Sequence, residues 1–250
     1  MGPLPILYTL NPAHFTYFIF IPLSTLATPS KRKTPADGVR IQPVKQNSRL
    51  TKKQIRCTRI KLLIDIPFSF LLIVFLSPIL LLLFLINLFA SKGHPLFFQV
   101  RCGRNEKPFH IVKFRTMKLD VPSYVTSEEL GDSAEYFGFG HVLKKSHLDE
   151  LPQLFNILLG QMAFVGPRPG LFNDTPLIEY RKENGTIGLR PGLTGLAQIA
   201  ADDQGPLSQK EKSIVDKRYM ENMSIWLDVK IFFLTFSKVF RNITRKRKWG

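Results

Sequence analysis

The sequence predicts an α+β chain, mostly α, with a re-entrant membrane helix broken at Ser77-Pro78, a small β-hairpin, and amphipathic interfacial helices around one globular domain. Three observations predict it. Leu62 to Ala90 is a run of 29 residues with a single charge, Asp65. Leu96 to Arg101 and Phe109 to Met117 alternate in hydrophobicity on either side of the turn-forming Cys102-Gly-Arg-Asn-Glu-Lys-Pro108, the pattern of a hairpin. Apolar residues recur at helical spacing through Leu151, Leu154, Phe155, Leu158 and Leu159, and again between Ser224 and Asn242.

Residues 1–56 read as a poorly structured basic extension, with prolines at 3, 5, 12, 22, 29, 35 and 43. Its apolar patch, Phe15 to Ala27, is short for a membrane span and is interrupted by Pro22. No basic residue precedes that patch, unlike a signal peptide.

Residues 57–92 are expected to form a helix-break-helix. A straight helix from Leu62 to Ala90 would run ~44 Å, beyond the ~30 Å of a hydrocarbon core. Pro78 lacks an amide proton and crowds the preceding turn, so a break is expected there. An ordinary tilted span with a proline kink is the alternative. Charge favours re-entry. Residues 1–61 hold eleven Lys or Arg against the single acid Asp37, and Lys92, Arg101 and Arg104 follow Ala90. The positive-inside bias therefore puts both ends of the segment on one face. Asp65 is expected near the interface, neutralised by Arg59 or Lys61.

Residues 93–242 form the main domain, and 243–250 a basic tail. After the hairpin, Val121 to Phe139 reads as a polar loop. A helix should then begin near Asp149, because Pro152 fits only a first turn. Asp149 and Glu150 would sit at its positive end, which keeps a carboxylate ionised and attracts phosphate. Two such acids serve equally well as an N-cap and a first-turn acid, so they gain meaning only from their company. Gly166-Pro-Arg-Pro169 is a stiff loop displaying Arg168, and Arg190-Pro-Gly-Leu-Thr-Gly-Leu-Ala-Gln198 is a second. On the C-terminal helix, Trp226, Val229, Phe232, Phe233, Phe236, Val239 and Phe240 share one side. Asp228, Lys230, Thr235, Ser237, Lys238 and Arg241 share the other, with Ile231 and Leu234 breaking the pattern. The aromatic side suits membrane docking as well as core packing.

The excess of 35 Lys and Arg over 19 Asp and Glu calls for an anionic partner. Both basic blocks flank apolar segments, which favours membrane phospholipids over nucleic acid. Cys57 and Cys102 show neither a disulfide framework nor zinc-ligand spacing.

From about Ile60 to Phe240 the chain resembles the monotopic bacterial sugar transferases, the polyprenyl-phosphate phosphoglycosyltransferases, in their short form. The matching pieces are Lys61-Leu-Leu-Ile-Asp65, Ser77-Pro78, Phe97 to Gly103, Lys113-Phe-Arg-Thr-Met117, Leu148-Asp-Glu-Leu-Pro-Gln-Leu154, Val165-Gly-Pro-Arg-Pro169, and Arg190 to Gly195 with Gln198. Asp216, Tyr219, Asp228 and Thr235 follow near the end. The resemblance implies transfer of a phosphosugar from a UDP-sugar to undecaprenyl phosphate, at the cytoplasmic face of the bacterial inner membrane. Such a step opens the assembly of a surface glycan. It further implies Asp149 as nucleophile and Mg2+ as cofactor, with Asp149 and Glu150 as its ligands.

Attack of a carboxylate on a diphosphate needs positive charge around the phosphates. Lys113, Arg115, Lys144, Arg168 and Arg190 are the candidate clamps. The chain departs from the family pattern at Leu62, Lys144, His147, Gln161 and Ala200 to Asp203, where Asp202 takes an arginine's place. Those departures raise the alternative of a catalytically inactive homologue that binds lipid or a partner. Neither the sugar nor the oligomeric state is specified by the sequence.

Overall fold

The computed structural model describes residues 50–118 and 136–244, apart from the side chains of 202–204, 240 and 242–244. Most of the expected N-terminal extension, the body of the polar loop, the end of the basic tail and the Asp202 side chain lie outside the described residues.

One helix dominates. α1 runs from Lys52 to Ala90, 39 residues, about 58 Å at the usual rise. It starts ahead of the expected residue 57 because Thr51 and Gln54 form a reciprocal capping box. The Thr51 hydroxyl accepts from the Gln54 amide at 3.3 Å, and the Gln54 side chain accepts from the Thr51 amide at 2.8 Å.

The expected break at Ser77-Pro78 is not seen. The backbone stays helical through both Pro67 and Pro78. Pro78 cannot donate to the Val74 carbonyl four residues earlier, but the Ser77 hydroxyl donates to that same oxygen at 2.8 Å. The serine thus supplies the bond its neighbour lacks, and the helix continues.

A polar stripe, Gln54, Thr58, Lys61, Asp65, Ser69 and Asn87, is buried along α1. Leu72, Ile73, Leu76, Leu80 and Leu83 continue it through the middle, packed on the core of the main domain. The opposite face carries exposed Leu63, Phe70, Leu71, Val74, Phe75, Leu81, Leu82 and Phe89. By length and composition α1 is able to cross a membrane, yet its whole length leans on the same body of protein.

β1 (Leu96–Cys102) and β2 (Pro108–Phe114) form the expected antiparallel hairpin, with Leu96 opposite Phe114 and Cys102 opposite Pro108. Asn87 near the end of α1 anchors it, donating to the carbonyls of Pro95 at 2.6 Å and Arg115 at 3.1 Å. α2 (Gly140–Ser146) leads through His147, in the left-handed region, to a 3-10 turn at Leu148–Glu150.

α3 (Gln153–Leu158) follows. It is shorter than expected and begins after the acid pair. Leu154 and Phe155 donate back to Leu151 and Pro152, a tight winding that suits a proline start.

β3 (Ala163–Val165) pairs in parallel with β4 (Gly192–Thr194), a short sheet the sequence pattern does not announce. Gly192 is required there, since a side-chain carbon on it would lie 2.1 Å from the Gly166 nitrogen. Between them lies α4 (Thr175–Glu183), and beyond them α5 (Leu196–Gln204), α6 (Gln209–Asn222) and α7 (Ile225–Thr244). The main core gathers Phe109, Ile111, Leu154, Ile157, Phe164, Val165, Ile199, Tyr219 and Ile231; a smaller one joins Leu83, Phe114 and Leu143.

α7 packs through part of each expected side. Ile231 and Lys238 are buried, Thr235 bonds to Thr194 at 2.6 Å and the Lys238 ammonium donates to the Ile199 carbonyl at 2.7 Å, and Phe232 of the aromatic side packs on the main core. Lys230, Ser237 and Arg241, from the side read as polar, are exposed. Trp226, Phe233 and Phe236 point outward, 77%, 66% and 68% exposed.

Asp65 is also placed differently. It is buried against the domain, and Lys61 pairs with Asp228 of α7 at 2.6 Å rather than with Asp65.

Candidate active site

The 3-10 turn carries Asp149 and Glu150 side by side, 2% and 9% exposed. Lys113, on β2, reaches Glu150 Oε1 at 3.3 Å. Arg168, on the loop after β3, reaches the same oxygen at 3.1 Å. The strand is held at the right height by Asn156 of α3, whose amide oxygen accepts from the Val112 nitrogen at 3.1 Å. Its amide nitrogen donates to the His110 carbonyl at 2.7 Å and to Gln161 at 2.8 Å.

The two acids live in opposed electrostatic states. Burial pushes the Glu150 carboxyl up, but Lys113, Arg168, Lys144 and His147 outweigh it and hold the group well below the usual carboxylate range. Asp149 is pushed up to about 6, chiefly by burial and then by the Glu150 charge, against the pull of Lys144, Lys113 and Arg168. Burial also lowers Lys113, with Glu150 opposing.

From the sequence, a helix dipole is expected to keep Asp149 ionised. The dipole contributes little, since the pair precedes a helix of six residues with no side-chain cap bond. Burial decides instead. Asp149 Oδ1 is buried without a hydrogen-bond partner, and so is Gln153 Nε2, four residues on. An ionised oxygen with no partner is strongly nucleophilic and ready to accept a cation.

Lys113, Lys144 and Arg168 are thus brought to the acids. Arg115 and Arg190 are not. The Arg115 guanidinium, just past the end of β2, donates to the His94 carbonyl at 3.2 Å and lies over the Phe97 ring at 5.6 Å. Arg190 has Arg104 and Asp65 as its charged neighbours and lines a small cavity with Thr58, Lys61 and Tyr219. Ser77 and Pro78 lie exposed on the outer face of α1.

Two residues outside the candidate set are part of this architecture. Arg181 of α4 and Asp216 of α6 form a buried ion pair at 2.6 Å, and Arg181 also donates to the Arg168 carbonyl at 3.0 Å. Arg181 sits in the charged run Glu179-Tyr-Arg-Lys-Glu183, which reads as a solvated face. Only the Asp216 match to the family pattern hints at it.

Among the described residues no cluster of three or more His, Cys, Asp or Glu side chains could cage a metal. Mg2+ needs no such cage. It is commonly held by one or two carboxylates together with substrate phosphates and water, and the open Asp149 oxygen beside Glu150 fits that mode.

Relatives agree with the geometry. The chain is 40% identical over 189 residues to a UDP-glucose:undecaprenyl-phosphate glucose-1-phosphate transferase of Klebsiella pneumoniae, covering 73% of this chain and 40% of that protein. It is 35% identical over 185 residues to the Escherichia coli K12 protein of the same description, covering 71% and 39%. The chain thus spans about two fifths of those two relatives. It is 38% identical over 182 residues to the uncharacterised sugar transferase EpsL of Bacillus subtilis, covering 72% and 87%. The family model for bacterial sugar transferases matches residues 56–242. With the acid pair and its cations set within that span, the chain belongs to the bacterial sugar transferase family.

Proposed function

We propose that the protein transfers a phosphosugar from a UDP-sugar to undecaprenyl phosphate through a covalent intermediate on Asp149. The observation that carries this reading is the buried Asp149 oxygen without a partner, set among Lys113, Lys144 and Arg168.

In the first step an Asp149 carboxylate oxygen attacks the phosphorus nearest the sugar. An oxygen–phosphorus bond forms, the diphosphate bridge breaks, and UMP departs with the bonding pair. The enzyme is left as an aspartyl-phosphosugar. In the second step a phosphate oxygen of the lipid attacks the same phosphorus and the Asp149 carboxylate leaves. The cations offset repulsion between the anionic nucleophile and the diphosphate. Glu150 engages Lys113 and Arg168 and so fixes where those charges stand. Asp149 and Glu150 would hold Mg2+ together with donor phosphate oxygens, and the ion would supply further charge neutralisation there.

The acceptor is a lipid, so the site must lie at a membrane. The outer face of α1 and the aromatic face of α7 are apolar and exposed, and such faces dock into the headgroup region. A helix whose two ends both pack on one domain is hard to reconcile with a span that separates them. That supports an interfacial path with both ends of α1 on one side of the membrane, and the positive-inside bias makes that side the cytoplasmic one. Lys144 remains beside the acids as a charge, so an inactive homologue is the weaker reading.

Incubation with UDP-glucose and Mg2+ in the absence of lipid acceptor should add one phosphohexose to Asp149, seen by mass spectrometry. Asp149→Asn should show none. An adduct elsewhere, or UMP release unaffected by that substitution, would remove the covalent mechanism.

A further inference from the structure

The loop that presents Arg168 is tethered at every residue. The Gly166 nitrogen donates to the Thr194 carbonyl at 2.9 Å, and the Pro167 carbonyl accepts from the Gly192 nitrogen at 2.9 Å. The Arg168 carbonyl accepts from Arg181 Nη1 at 3.0 Å, the Pro169 carbonyl from Arg101 Nη1 at 3.1 Å, and the Gly170 carbonyl from the Cys102 nitrogen at 3.0 Å. The two prolines have no amide to donate, so this loop is held by what it accepts.

The tether at Arg168 itself is the most deeply buried of the side-chain ones. Arg181 is 7% exposed and Asp216 2%. Asp216 Oδ2 accepts from Arg181 Nε at 3.0 Å and from Nη2 at 2.6 Å. That one carboxylate oxygen takes one edge of the guanidinium and leaves Nη1 aimed at the Arg168 carbonyl. A planar guanidinium holds both bonds in one fixed geometry, which a lysine ammonium at this position would not reproduce.

We propose that Arg181, oriented by Asp216, is a positioning residue for Arg168, fixing the backbone from which that side chain reaches Glu150 and the donor diphosphate. A buried ion pair between α4 and α6 would by itself only join two helices. The third bond gives it a role at the site: α6 holds α4, α4 holds the Arg168 backbone, and Arg168 holds Glu150 Oε1. The inference rests on the transferase reading for its link to the diphosphate.

The test is a double-mutant cycle on the full chain in lipid nanodiscs carrying undecaprenyl phosphate, with Mg2+, pairing Arg181→Lys with Arg168→Ala. Two readouts are followed: affinity for UDP by titration, and UMP release from UDP-glucose at enzyme levels that keep R168A measurable. Arg181→Lys keeps the charge opposite Asp216 and should fold, checked by thermal melting. It should lower donor affinity and kcat/KM by about tenfold where Arg168 is present, and by less than about twofold in the R168A background. Equal losses in both backgrounds would mean a purely structural pair and would overturn the proposal. If R181K melts early, Asp216→Glu takes its place in the same cycle with the same two outcomes. UDP coupling without UMP release from wild type across a panel of UDP-sugars would keep the positioning role and remove the transferase reading. Wild type that fails to bind UDP would overturn both.

Discussion

Two of the buried charge clusters in this domain, one around Lys61 and one around Asp149 and Glu150, are built differently. In the first, the Lys61 ammonium meets Asp228 at 2.6 Å, the Val165 carbonyl at 2.7 Å and the Tyr219 hydroxyl at 2.5 Å, while that hydroxyl donates to Asp228 at 2.7 Å. All three donors of the ammonium are used. The cluster ties α1 to β3, α6 and α7, and nothing in it is left to react. In the second, Glu150 takes Lys113 and Arg168 on one oxygen, and Asp149 keeps an oxygen with no partner. A satisfied cluster holds the fold together, whereas an unsatisfied one stores reactivity at a cost in stability.

The sharpest way to break that contrast is at Asp149. Asp149→Asn should lower UMP release at least about a thousandfold, since the proposed mechanism has this carboxylate as its nucleophile. It should also stabilise the protein. The folded state holds the Asp149 proton more tightly than the unfolded chain, with a pKa raised from 3.8 to about 6. Stability from this group is therefore greatest in acid and falls as pH rises through that window. Removing the ionised form should restore on the order of 1–3 kcal/mol at pH 7, read as a higher melting temperature.

Lys61→Met should do the reverse, costing about 3–5 kcal/mol by stranding Asp228. Adding Asp228→Leu should recover much of that loss in a denaturation experiment. A double variant no more stable than the single one would show that the first cluster is not a self-contained pair.

The acids themselves can be separated by pH. Wild-type kcat/KM should fall about tenfold per pH unit below the Asp149 value of about 6. Glu150→Gln removes the neighbouring negative charge and frees the cations to act on Asp149, so the acid limb should move to lower pH even as the maximum drops. A limb that stays put would mean that another group titrates. The smallest effect belongs to Arg115→Ala, which should change kcat/KM by less than about threefold, because its guanidinium rests on Phe97 and His94.

What the sequence reveals here follows a physical line. The hairpin is legible because alternation in Leu96 to Arg101 reports one buried and one open face. The acid pair is legible because its motif is contiguous. The amphipathic character of α7 is legible but its orientation is not: Asp228, Thr235 and Lys238 look solvent-facing until their partners on other elements are known. Arg181 and Asp216 are 35 residues apart, and the β3 and β4 strands are three residues each. Neither leaves a local period to read. Ser77-Pro78 predicts a break from backbone chemistry alone, and misses the hydroxyl that mends it.

The buried stripe of α1 carries a last consequence. Cys57, Leu72, Ile73, Leu76, Leu80 and Phe84 pack against the two cores, so the hydrophobic segment is one wall of the domain rather than a leash attached to it. A soluble fragment cut after residue 92 would open both cores to water and should aggregate. During synthesis that wall emerges first, and the rest of the domain has it as a template on which to condense.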